Sequence, residues 1–131
     1  MSRRIRIVAL ALLALALAPG LAGAAGSSPA QAAEQVRAGL ARAQMRMVDQ
    51  PKEARELLSA ARTTYDQALD ESLSNVAPAA AERARDGFAA AERALDDGAA
   101  PAFAGARARV WTALLAGGYS AVDRALQDGD A

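Results

Sequence analysis

Carboxylates are the side chains of this sequence with the most chemistry open to them. In "TTYDQALDES", Asp66 and Asp70 stand four residues apart, Glu71 follows, and Tyr65 precedes. On a helix a spacing of four turns both aspartates to one face. Oxygen donors gathered in this way suit a hard cation, so Asp66, Asp70 and Glu71 are the candidate metal ligands. A solvated helix face has the same look: Arg62 stands four before Asp66 and Lys52 four before Glu56, and the plainer reading has the stronger claim. Asp96 and Asp97 form a second acidic pair, set against the dipole of a helix C-terminal end, where they read as turn residues.

Other chemistries are closed off. The sequence has no histidine and no cysteine, hence no imidazole base, no thiolate site and no disulfide framework. "GYSAV" (118–122) begins like a nucleophile elbow, but it lacks the closing glycine, a preceding strand and a histidine for Ser120 to use. The chain therefore reads as noncatalytic, with no cradle for an organic cofactor. Met45 and Met47 are two apart and point to different sides of a helix, which favours core filling over a soft-metal site.

The elements that must position these residues are all helical. Apolar residues at Val36, Leu40, Ala43 and Met47 predict a helix over 33–47. Pro51 opens a second over 51–74, with its stripe at Ala54, Leu57, Leu58, Ala61, Tyr65, Ala68, Leu69 and Leu73. Pro78 opens a third, lined by Ala81, Ala84, Phe88, Ala91 and Leu95 and ended by Gly98; Gly87 weakens it from inside. Pro101 opens a fourth with a wide apolar sector: Phe103, Val110, Leu114 and Ala121 on one line, Trp111, Leu115, Gly118, Val122 and Leu126 on the next. Trp111 and Tyr119, with Leu115 and Gly118, are the candidate contact that locks helices or forms an interface. Gly117 and Gly118 each cost roughly 1 kcal/mol relative to alanine inside a helix, which points to close approach of a neighbour, with a break in the helix as the alternative. Short connections make this an all-α, up-and-down antiparallel bundle of about four helices, with a thin, alanine-rich core.

The N-terminus has the order of a secretory signal: Arg3, Arg4 and Arg6, the apolar run "IVALALLALALA" from Ile7 to Ala18, then small residues with Ala-x-Ala sites at 22–24 and 30–32. That run is shorter than the roughly 20 apolar residues a membrane span needs. Residues 1–32 are read as signal peptide and linker, with cleavage after Ala32, and residues 33–131 as an exported domain at the periplasmic or extracellular face. Removing the leader takes away three arginines and no acid, so the remainder is slightly acidic, with both signs interspersed. Nucleic acid, which needs a basic patch, is not a partner to expect.

The stretches "ARELLSAARTTYDQAL" and "ARARVWTALLAGGYSAVDRALQDGDA" carry a resemblance. Over about residues 54–131 the chain is similar to the extracytoplasmic N-terminal region of bacterial members of the high-affinity iron permease family, where such a helical region precedes a membrane domain. The shared pattern is an Arg/Ala-rich run into Trp111, the pair Leu114 and Leu115, a small-residue step to Tyr119, and an Ala-rich helix ending in Gly-Asp. The resemblance implies a role in iron transport across a membrane. Its implied partners are a permease membrane domain, other iron-uptake proteins or a second copy, and iron becomes the ion for the three carboxylates. The family's Arg-Glu-x-x-Glu motif is not carried: "RELLS" (55–59) has Ser59 where the second glutamate would stand. A secreted helical interaction module unrelated to iron is the rival expectation.

Overall fold

The computed structural model describes residues 28–129. The expected signal segment falls on residues 1–27, outside the described residues. Five helices follow: α1 (Pro29–Arg46), α2 (Pro51–Ala68), α3 (Asp70–Val76), α4 (Pro78–Asp96) and α5 (Ala100–Gln127), with no strand among the described residues. α1 packs along α2 and α4 along α5, α1 also meets α5 and α2 meets α4, while α3 bridges α2, α4 and α5. The all-α bundle read from periodicity is the observed fold.

Two boundaries differ from expectation. α1 starts four residues early because Ser28, Pro29 and Gln31 build a start signal: the Gln31 amide donates to Ser28 Oγ at 3.2 Å and the Ser28 amide to Gln31 Oε1 at 3.1 Å, with proline in the first turn. Ala32, placed in the linker from sequence, is fully buried in the core. Cleavage after Ala32 would remove this cap and first turn, whereas the small-residue site at 22–24 lies ahead of both.

The second helix, expected to run unbroken over 51–74, turns at Leu69, whose ψ remains helical while φ moves to −126°. Its apolar residues explain the turn. Ala61, Tyr65, Leu69 and Leu73 recur every four residues, and on a straight helix each such step drifts by about 40°. Three steps would carry Leu73 well off the core face, and the turn at Leu69 returns both leucines to burial.

Tyr65, Phe88 and Phe103 are the largest fully enclosed side chains, with alanines of every long helix around them. The Tyr65 and Phe88 rings meet at 5.4 Å between centroids, tilted by 43°. Gly87, which sequence reading treats as a weakness, is where α4 and α5 close on each other: a Cβ there would lie 2.6 Å from Val110 Cγ2 and 3.3 Å from the Ala106 carbonyl oxygen.

Candidate functional site

Asp70 opens α3, and the turn at Leu69 aims it at α4. There Arg85 grips it with both prongs, Nε to Oδ1 at 2.8 Å and Nη2 to Oδ2 at 3.1 Å, while Nη2 also donates to Ser74 Oγ at 2.8 Å. Beneath this surface pair the Tyr65 hydroxyl donates to the Ala81 carbonyl at 3.4 Å. The arginine holds the Asp70 carboxyl below the usual carboxylate range; partial burial opposes this and the tyrosine hydroxyl assists it. Burial, and then the Asp70 carboxylate, push the Tyr65 phenol upward.

These two shifts act at opposite ends of the pH scale. Asp70 is depressed on folding, so its contribution is present above its unfolded value and lost as the pH falls below about 4. Tyr65 is raised, so its contribution is complete below an unfolded value of about 10 and lost above it. The melting temperature is expected to fall above about pH 10, and Tyr65→Phe to remove part of that fall. Thermal melts by circular dichroism across the alkaline range measure this, and identical alkaline slopes for both chains would contradict it.

Asp66 and Glu71 do not join Asp70. Asp66 faces a groove between α2 and α4, alongside Arg62, Glu92, Arg55 and Asp96, and Glu71 is exposed on α3. Among the described residues no three acidic, histidine or cysteine side chains are grouped to hold a metal ion. The three candidate ligands are thus divided, and Asp70 is occupied by a guanidinium. Arg62, which sequence spacing pairs with Asp66, reaches instead across to Glu92 on α4, and Arg55 reaches Asp96 at 2.7 Å. Spacing along one helix identifies neighbours on that helix, and these pairings are between helices. Asp96 is therefore a rivet between α2 and α4, and Ser120 donates its hydroxyl to the Ala116 carbonyl within its own helix.

The apolar candidates divide as well. Trp111 is half-buried against the core. Leu115 is 43% exposed and Tyr119 75%, and nothing lies within 4 Å of where a Gly118 Cβ would stand. These three do not lock helices within the chain. The glycine that does is Gly117, where a Cβ would meet Leu73 Cδ1 at 1.8 Å. Val122 and Leu126 continue the exposed line at 60% and 63%. From Gly118 onward every described residue except Ser120 is exposed, because α5 runs for 28 residues against 18 or 19 in the other long helices.

The described surface thus offers riveting ion pairs and an apolar line. The family model for the iron permease FTR1 N-terminal domain matches residues 26–131. The chain belongs to this family. No match was found among curated proteins or among solved structures. The family match begins just ahead of the Ser28 cap and takes in all five helices of the described residues. No helix of the described residues is long and apolar enough to cross a membrane.

Proposed function

We propose that this iron permease N-terminal domain works outside the cytoplasm as a noncatalytic scaffold, presenting helical surfaces to the permease membrane domain or to other iron-uptake proteins. One observation carries the reading: three arginines of the bundle are engaged with acidic side chains of other helices, and one of those acids is the candidate ligand Asp70. Arg85 binds Asp70, Arg62 binds Glu92 and Arg55 binds Asp96, each pair joining different helices. What remains for a partner is the apolar line on α5. The arginine-flanked apolar leader supports export. Direct capture of iron by Asp66, Asp70 and Glu71 is the weaker form of the proposal, since Arg85 would first have to release Asp70.

The experiment is uptake of radiolabelled iron by cells of the source organism from which residues 28–129 have been deleted in frame, leader retained. Uptake is expected to collapse toward the level of a strain lacking the whole gene. Uptake at the parental rate would remove the domain from iron transport and favour a secreted module of unrelated purpose.

A further inference from the structure

We infer that the groove bounded by the start of α1, by α3 and by α5 beyond Leu114 seats a single alkyl chain with an anionic head, the chemistry of a fatty carboxylate, a role beyond that of scaffold. The groove encloses about 430 Å³, inside the range of roughly 300–1,000 Å³ usual for small-molecule sites. α3 lines it with Leu69, Leu73 and Val76, and α5 with Leu114, Gly118 and Ala121. Apart from Ser28 and Ser72, every lining residue is apolar or glycine, and the Ser28 hydroxyl already accepts from the Gln31 amide. α3, set off by the turn at Leu69, leans Leu73 onto Gly117 to form the floor. Beside it the groove stays open: nothing lies within 4 Å of where a Gly118 Cβ would stand.

The shape selects a slim occupant. From Leu114 to Ala121 the groove is about 10 Å long at 1.5 Å per residue, and an α-helix with its side chains is itself about 10–12 Å across, so a helix would straddle it. An extended peptide would bring in backbone N–H and C=O groups for which these walls hold no partners. An alkyl chain brings none. The charge at one end selects the head. Arg124 stands a turn beyond Ala121, and its Nη1 donates to the carbonyl of Asn75, the neighbour of Val76, at 3.3 Å. The guanidinium therefore marks the end of the groove at which both walls finish. Among the described residues Arg124 forms no ion pair, and the adjacent Asp123 accepts from Gln127 Nε2 at 2.9 Å. Arg124 is exposed and keeps N–H donors for a carboxylate, which a guanidinium binds through two parallel bonds. At the other end Leu69 and Leu114 offer only apolar surface to a tail.

The probe is decanoic acid with a photoactivatable diazirine near its tail, held below its micelle concentration and irradiated with the full 131-residue chain, the labelled residues being mapped by mass spectrometry. Labels are expected on Leu69, Leu73 or Leu114, the part of the groove farthest from Arg124. Gly118→Leu extends a side chain into space the fold leaves open, and is expected to cut this labelling about tenfold or more without lowering the melting temperature. Arg124→Gln is expected to cut it about three- to fivefold for the acid and to leave the methyl ester of the same probe unchanged. Labels confined to residues 1–27 or to the face of Leu115 and Tyr119, as would follow if the leader or another protein covers the groove, overturn the inference. Indifference to Gly118→Leu overturns it too, and so does an equal response of acid and ester to Arg124→Gln. Should Gly118→Leu unfold the chain, the acid-to-ester comparison decides alone. No iron enters the measurement, so failure here and failure of the scaffold reading are separate results.

Discussion

Phe88→Ala is expected to destabilise the domain by about 3–5 kcal/mol. Small domains hold only about 5–15 kcal/mol in total, so this loss leaves a large part of the population unfolded at growth temperature. Phe88 is 1% exposed, meets the Tyr65 ring at a tilt, and belongs to a core in which nearly half of the buried residues are alanines. Alanine side chains cannot extend into the space a ring vacates, so the cavity persists and its cost adds to the lost transfer energy. Chemical unfolding followed by circular dichroism measures the difference. A loss of less than about 1 kcal/mol, the ordinary size of a point-mutant effect, would mean that the ring does not organise the core.

The second large effect contrasts two glycines. Gly87→Val is expected to destabilise by about 1–3 kcal/mol or more, even though removing a helix glycine alone gains roughly 1 kcal/mol. The obstruction lies partly in backbone: besides Val110 Cγ2 at 2.6 Å, a Cβ at Gly87 meets the Val110 amide nitrogen at 3.2 Å, so α4 and α5 must separate. Gly118→Ala meets nothing and is expected to stabilise by about 0.5–1 kcal/mol. Melting temperatures of the two variants should move in opposite directions from wild type. Movement in the same direction would show that the α4–α5 approach is not what Gly87 serves.

Helix type, the starts of three long helices and most of the core were legible in the sequence because prolines at 51, 78 and 101 mark helix starts and the stripe of each helix keeps its period. The Ser28 to Gln31 cap was legible too, but the surrounding glycine, serine and alanine made it read as linker. The turn at Leu69 hides in a run of four-residue steps, which shows its drift only when followed over three turns. The candidate site was less legible. Spacing placed Asp66 and Asp70 on one face and paired Arg62 with Asp66, but guanidinium groups reach across to other helices, and a one-dimensional pattern does not say which helix lies opposite. The glycine pair was read as a close approach, which holds for Gly117 against Leu73 and not for the exposed Gly118.

A bundle that serves its permease through surfaces, not through iron ligands, makes a definite demand on cells. Asp66→Asn and Glu71→Gln together keep the side-chain shapes while removing two of the candidate carboxylates and leaving the Asp70–Arg85 pair intact. Cells carrying this variant, with the protein present at wild-type level on immunoblots, are expected to take up labelled iron at the parental rate. Loss of uptake at that level of protein would contradict the scaffold and make these carboxylates the point where the domain touches the metal.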